Sequence, residues 1–146
     1  MKKYIVMADG ASRGNPGKSS LGVVCFFLED ESNVPSLEEF KKNNESTVFK
    51  ISKRLEDGTN NEAEYQALIE GLFECQKRDI KSPIVFLDSE LLVRQMSGIY
   101  KIKSPKLKNY YEKAFNLMNE LKAKILHVKR EKNKIADYLA NMALDK

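Results

Sequence analysis

Two acidic residues follow apolar runs at positions where a carboxylate has chemical use. Asp9 comes directly after the run at residues 4–8, and Asp88 comes directly after the run at residues 84–87. Both runs predict buried strands, so both carboxylates are expected at strand carboxyl ends, where open α/β sheets bind ligands. Asp-Gly and Asp-Ser pairs are also common turn and helix-entry residues, so either aspartate alone also fits a purely structural role.

A third acidic residue, Glu64, heads the apolar stripe of a predicted helix. The helix begins at a capping box formed by Thr59 and Glu62. The stripe that follows Glu64 at helical spacing consists of Ala67, Leu68, Gly71, Leu72 and Cys75. Glu62 has a structural role as the third residue of the capping box. Glu64 has no such role, so a function explains its position better than the fold does.

Asp137 lies in the last predicted helix, which begins at Asn133. Its neighbours Ala136 and Ala140 are small enough to let the helix approach the sheet closely, with Asp137 at the edge of the packed face. Four carboxylates that converge would repel each other and raise one another's pKa values. Two Mg²⁺ ions, with Mn²⁺ as a substitute, would remove that repulsion and could clamp the oxygens of a phosphoryl displacement. The four acids therefore predict a nuclease.

The elements that must position these acids alternate along the chain. A glycine-rich turn at residues 9–17 joins two strands into a hairpin, and a third strand is predicted at residues 47–55. Two more strands, at residues 84–87 and 125–128, alternate with helices. This order predicts an α/β fold with a five-stranded mixed sheet, its first three strands antiparallel, and helices on both faces. Residues 29–46 are expected to form a surface insertion, in which Ser36 and Glu39 fit a capping box for one or two helical turns. Pro105 is expected at the start of a longer helix.

The composition fits a single globular domain spanning residues 1–146. The chain is 42% hydrophobic and 32% charged, with a net charge of +4. Its apolar runs are far shorter than the roughly 20 residues of a membrane span, and the N-terminal residues lead straight into a strand, so we expect a cytoplasmic protein. Cys25 and Cys75 lie in apolar surroundings without a CxxC motif, which predicts buried thiols rather than a disulfide or a zinc site.

Positive charge is concentrated in the second half of the chain. Residues 77–134 carry 15 Lys and Arg against 6 Asp and Glu, whereas the remainder carries 10 against 15. A polyanion would therefore bind in the second half. A solvated lysine-rich surface explains the same charge pattern equally well.

Four segments, in order and spacing, resemble the motifs of type 1 ribonuclease H. They are residues 9–17 (DGASRGNPG), 59–65 (TNNEAEY), 87–89 (LDS) and 127–140 (HVKREKNKIADYLA). The resemblance spans residues 4–144 apart from the insertion at 29–46, and it implies the ribonuclease H fold. It also implies an Mg²⁺ site at Asp9, Glu64, Asp88 and Asp137, and a two-metal-ion hydrolysis of the RNA strand of RNA/DNA hybrids that leaves 5′-phosphate and 3′-hydroxyl ends.

The same resemblance assigns further residues to the substrate and to catalysis. Four positions match residues that touch the two strands of the hybrid in the family, although all four also fit as turn and cap residues: Asn15, Thr59, Asn60 and Asn61. His127 stands at the family's spacing from Asp137, but a histidine at a strand end also fits a structural role. Arg130 matches an arginine that some members use in place of the histidine.

The chain departs from the large bacterial enzymes, which hold the hybrid with a basic, Trp-containing protrusion. It has no Trp, and only a short connection joins Gly98 to Pro105. In this it resembles the subgroup without the protrusion, found in archaea and some bacteria. Binding would then depend on the lysines around that connection, with Tyr100 as a stacking partner: Lys101, Lys103, Lys106 and Lys108.

We therefore expect the protein to bind an RNA/DNA hybrid as a monomer, and we expect no membrane partner. Two alternatives stay open. A nuclease of the same fold could act on double-stranded RNA, which shares A-form geometry and 2′-hydroxyls with the hybrid, or on a DNA junction. A protein with the same fold could also bind double-stranded nucleic acid without cleaving it, although the presence of all four acids argues against this.

Overall fold

The computed structural model describes residues 1–99 and 101–145. Five strands of these residues form one sheet in the order β3-β2-β1-β4-β5. Their bounds are Lys3–Arg13 (β1), Gly17–Leu28 (β2), Thr47–Gly58 (β3), Ile84–Leu87 (β4) and Lys124–His127 (β5). β2 pairs antiparallel with β1 and β3, whereas β4 pairs parallel with β1 and β5. The predicted mixed sheet is confirmed.

Helices occupy the segments between and after the strands. Their bounds are Leu37–Lys42 (α1), Asn60–Lys77 (α2), Glu90–Met96 (α3), Pro105–Leu121 (α4) and Lys134–Leu144 (α5). The predicted capping boxes are present at Ser36 and at Thr59, and Pro105 occupies the first turn of α4. Local capping chemistry therefore determines where these helices begin.

The two faces of the sheet carry separate apolar clusters. On one face Val6 and Val23 pack with the stripe of α2 and with α4. On the other face Met7 and Phe26 pack with α5. Phe40 of α1 is 3% exposed and joins this second cluster, so part of the segment at residues 29–46 contributes to the core. Because helices cover both faces, β1 and β4 are apolar without alternation.

β1 is longer than its apolar run predicts. It continues to Arg13, because residues 9–13 pair with β2. β4 ends at Leu87, which pairs with Ala8 of β1. Asp9 thus lies inside β1 at the point where the parallel partner stops, and its predicted place directly after the strand is wrong. Asp88 does follow its strand directly, as predicted.

The expectation that both cysteines are buried thiols agrees with the structure. Cys25 and Cys75 are both buried and both free thiols. Among residues 1–99 and 101–145, no helix has the length and hydropathy needed to cross a membrane.

Candidate active site

Asp9 is the centre of a cluster of four carboxylates. It is 9% exposed. Burial, and then the charges of Asp88, Glu64 and Asp137 in decreasing order, raise its pKa to about 9. The Asp137 side chain also favours the protonated form of Asp9, because two neighbouring carboxyl groups can share a hydrogen bond only when one of them keeps its proton. The structure therefore brings all four predicted acids into electrostatic contact, although they come from β1, the residue after β4, and two helices.

Two glycines let the helices approach Asp9 closely. A Cβ on Gly10 would lie 2.3 Å from the backbone nitrogen of Glu64 in α2. Gly22, which pairs with Asp9 across the β1–β2 ladder, has the same role for α5: a Cβ there would lie 2.2 Å from the Ala136 carbonyl oxygen. Side chains at these positions would push the helices away, so the two glycines set the distance between the acids.

Glu64 is half-buried, and its surroundings disfavour the ionised carboxylate. Burial raises its pKa to about 7; the Asp88 charge acts in the same direction, while a hydrogen bond from Ser89 and the charge of Arg130 oppose it. Its Oε2 atom is buried and has no hydrogen-bond partner within the described part of the chain. An unsatisfied buried carboxylate oxygen is costly unless a ligand completes it.

Amide side chains hold the other two acids, and sequence reasoning did not assign them to the site. Asn133 Nδ2 donates to Asp88 Oδ2 at 2.9 Å. Asn141 Nδ2 donates to Asp137 Oδ1 at 3.2 Å. Asn141 lies four residues after Asp137 on the same helix, and this spacing could have indicated the contact from the sequence. Nothing local indicated Asn133, whose sequence position suggests only a helix start.

The four acids do not form a ready-made metal cage. In the described ranges no group of three or more His, Cys, Asp or Glu side chains is arranged to hold a metal ion by itself. The acids are nevertheless close enough to shift the pKa of Asp9. Mg²⁺ is usually held by one or two carboxylates together with waters and substrate phosphates. Such a partial set of ligands, with the unsatisfied Glu64 oxygen, fits a divalent ion completed by substrate.

Polar residues predicted to touch substrate meet at the start of α2. Asn15 Oδ1 accepts from the Asn60 backbone N–H at 2.9 Å, which docks the β1–β2 turn on the helix. Thr59 is the N-cap of α2, and Asn61 Nδ2 donates to Gln95 at 3.4 Å. All four residues thus lie beside the first turn of the helix that carries Glu64.

The lysine-rich connection is attached to the same helix start. Lys106 Nζ lies 3.2 Å from Glu62 Oε2, and Glu62 in turn caps α2. Lys108 lines a cavity of about 300 Å³ together with Gln95. The two remaining lysines, Lys101 and Lys103, are exposed in the coil before α4. Tyr100, the predicted stacking residue, lies outside the described residues.

His127 and Arg130 occupy different surroundings. His127 is the last residue of β5, is exposed, and lines a groove of about 1010 Å³ with residues 31–32, 34–38 and Ile135. None of the four carboxylates is among the described residues that line this groove. Arg130 begins a 3₁₀ turn, Arg130–Lys132, and its charge lowers the pKa of Glu64. Of the two predicted helpers, Arg130 is the one the structure relates to the acids.

Comparison with known proteins gives a consistent result. Residues 7–143 match the family described as reverse transcriptase-like. The chain is 37% identical over 145 residues to the bifunctional protein Rv2228c of Mycobacterium tuberculosis, covering 98% of this chain and 36% of that protein. It is 32% identical over 138 residues to ribonuclease HI of Halobacterium salinarum, covering 94% of this chain and 62% of that protein. The chain therefore spans less than two thirds of these relatives.

Solved structures cover the chain almost completely. The N-terminal RNase H domain of Rv2228c superimposes with a TM-score of 0.83 at 34% identity, covering 99% of this chain and 95% of that one. RNase H1 from Halobacterium salinarum gives 0.83 at 30% identity, with 98% of both chains covered. LC11-RNase H1, solved in complex with an RNA/DNA hybrid, gives 0.80 at 37% identity, covering 98% and 97%. Because these structures match nearly the whole chain at 30–37% identity, the chain belongs to the type 1 ribonuclease H family.

Proposed function

We propose that this protein is a metal-dependent endoribonuclease that hydrolyses the RNA strand of RNA/DNA hybrids. The observation that carries the proposal is the cluster of four acids beside the uncharged polar row at the start of α2. Membership of the family and the hybrid bound by the similar LC11-RNase H1 support the same substrate. Water attacks the phosphorus and the bond to the 3′-oxygen breaks, leaving 5′-phosphate and 3′-hydroxyl ends.

The acids are the residues that would hold divalent metal, as is general in this family. Hard carboxylate oxygens suit Mg²⁺ and Mn²⁺, and the pKa values of Asp9 and Glu64 are raised by burial and by neighbouring carboxylates, effects that a bound cation would oppose. We assign the ligands to Asp9, Glu64, Asp88 and Asp137. When bound, a pair of ions supplies activation of the attacking water and charge stabilisation for the leaving oxygen.

The remaining residues bind and orient the hybrid. Asn15, Thr59, Asn60 and Asn61 present neutral donors and acceptors, which can contact sugars and bases of either strand without attracting a particular sequence. Exposed lysines of residues 101–108 neutralise phosphates beside them. We propose Arg130 as the helper instead of His127, because its charge acts on Glu64.

The proposal is tested by incubating the protein with end-labelled RNA/DNA hybrid, double-stranded RNA and double-stranded DNA of one sequence, in Mg²⁺ and in Mn²⁺. We expect cleavage of the hybrid in its RNA strand, with 5′-phosphate ends, and no cleavage in EDTA. Asp9→Asn serves as the inactive control for contaminating nuclease.

The other outcomes separate the alternatives. Faster cleavage of double-stranded RNA than of hybrid would replace the proposed substrate. Tight binding to either duplex without cleavage in both metals would indicate a binding protein with the same fold.

A further inference from the structure

Asn133 connects three of the segments that carry the acids. It is 0% exposed. Its Nδ2 group donates to Asp88 Oδ2 at 2.9 Å and to the carbonyl oxygen of Ala8, the residue before Asp9, also at 2.9 Å. Its own carbonyl oxygen accepts from the backbone N–H of Asp137 at 3.1 Å. One residue thus joins β1, the end of β4 and the first turn of α5.

The side chain of Asn133 is not used for the role that its sequence position suggests. Asn is a preferred N-cap residue because its side-chain oxygen accepts a hydrogen bond from the first turn of the helix. Asn133 stands at the N-cap of α5 but makes no such bond. Its Oδ1 atom is buried without a hydrogen-bond partner in the described residues. The side chain therefore gives up helix capping and points its amide donor toward Asp88 and β1.

Asp88 needs such a partner because it lies beyond the sheet. β4 ends at Leu87, so strand pairing does not restrain the next residue. The Asn133 amide restrains one carboxylate oxygen of Asp88 and leaves the other oxygen available. A neutral donor is suited to this task, since Lys or Arg would compete with a divalent cation and an acid would add to the repulsion.

We propose that Asn133 is a positioning residue that orients Asp88 and the first turn of α5 for divalent metal. This inference rests on the proposed function, because it assigns Asp88 and Asp137 as ligands. Residues that hydrogen-bond to metal ligands commonly change metal affinity or activity by about 10- to 100-fold when mutated. Removing the Asn133 amide should therefore weaken metal binding without removing any ligand.

The test is calorimetric titration of the nucleic-acid-free protein with Mn²⁺, accompanied by a thermal melt of each variant in EDTA. Asn133→Ala is compared with wild type and with Ser20→Ala. Ser20 is a matched control, because it is 0% exposed and its Oγ donates to the Ala140 carbonyl oxygen of the same helix at 2.6 Å. Its loss breaks a buried contact between the sheet and α5 without touching a carboxylate.

We expect Asn133→Ala to bind Mn²⁺ at least about tenfold more weakly than wild type. Ser20→Ala should bind Mn²⁺ as wild type does, although it melts at a lower temperature. The Mg²⁺ concentration that half-saturates cleavage should rise in parallel for Asn133→Ala only. If the alanine variant does not fold, Asn133→Ser replaces it: serine is able to cap α5, but its single donor cannot serve both Ala8 and Asp88.

Wild-type Mn²⁺ affinity in a folded Asn133→Ala or Asn133→Ser protein would overturn the inference and leave Asn133 with a structural role. An equal loss of affinity in Ser20→Ala would also overturn it, since any loosening of α5 would then be sufficient. If wild type itself neither binds Mn²⁺ nor cleaves hybrid, the proposed function fails first, and the inference fails with it.

Discussion

Replacing Glu64 with Gln tests whether the carboxylate at the head of the α2 stripe serves the chemistry or the fold. Glu64 Oε2 is buried without a hydrogen-bond partner in the described residues. Burial is the main cause that raises the pKa of Glu64 from its ordinary 4.5 to about 7. The ionised carboxylate therefore destabilises the metal-free fold, and an uncharged amide of the same shape removes that cost.

The size of the effect follows from the pKa. A rise from 4.5 to about 7 corresponds to roughly 3 kcal/mol between the two protonation states. Because the folded-state pKa is the higher one, the cost is absent below the unfolded pKa, grows between the two values, and is complete above the folded pKa. At roughly 2–4 °C per kcal/mol, Glu64→Gln in EDTA near pH 8 should melt at the wild-type temperature or up to roughly 10 °C higher. The two melting temperatures should converge as the pH falls toward 5.

Glu62→Gln is the matched control, two residues away on the same helix. Glu62 Oε1 accepts from the Thr59 backbone N–H at 2.8 Å, and Gln can accept the same bond. The ion pair with the exposed Lys106 contributes at most about 1 kcal/mol. Residues two apart are separated by about 200° around a helix, so Glu62 does not face the acids. We expect its kcat to match wild type.

The assay measures kcat with saturating hybrid in Mg²⁺, and the melting temperature in EDTA at both pH values. Glu64→Gln should lose several orders of magnitude in kcat while keeping or gaining stability. A fully active Glu64→Gln protein would remove Glu64 from the site. An inactive Glu62→Gln protein would show that the helix phase is wrong, and a Glu64→Gln protein that melts well below wild type near pH 8 would show that the carboxylate stabilises the fold.

Three further predictions follow from other parts of the site. Asp9→Asn should abolish cleavage in Mg²⁺ but bind hybrid as wild type does, because the amide keeps the shape and loses the charge; undiminished turnover would contradict the metal assignment. Neutralising the four lysines of residues 101–108 should raise KM, leave kcat nearly unchanged, and reduce the slope of log affinity against log salt by up to about one unit per phosphate contact. An unchanged slope would show that these lysines do not contact phosphates. Gly22→Ala should lower the free energy of unfolding by about 1–3 kcal/mol or more, because its Cβ would lie 2.2 Å from the Ala136 carbonyl oxygen. The control Gly98→Ala meets no atom within 4 Å and should cost about 1 kcal/mol through its φ of +78° alone. Equal urea midpoints for the two variants would contradict this difference.

Local patterns in the sequence were sufficient for most elements. The capping boxes at Ser36 and Thr59 and the proline of α4 appear where predicted, because these signals act within one turn of helix. The apolar runs of β1 and β4 also indicated a sheet covered on both faces. The phase of the α2 stripe placed Glu64 toward the sheet and Glu62 in the cap, since 3.6-residue periodicity is an intrinsic property of the helix.

Tertiary structure decided where β1 ends and how the acids are held. Residues 9–17 are polar and glycine-rich, which suggested a turn, but residues 9–13 pair with β2, which satisfies their backbone groups and extends the strand through Asp9. The direction of the Asn133 amide was likewise not readable from its neighbours, because its acceptors belong to Ala8 and Asp88, 125 and 45 residues away. Capping and periodicity depend on neighbours along the chain, whereas the donors, glycine contacts and charges that shape the acid cluster come from segments that meet only when the sheet and helices pack.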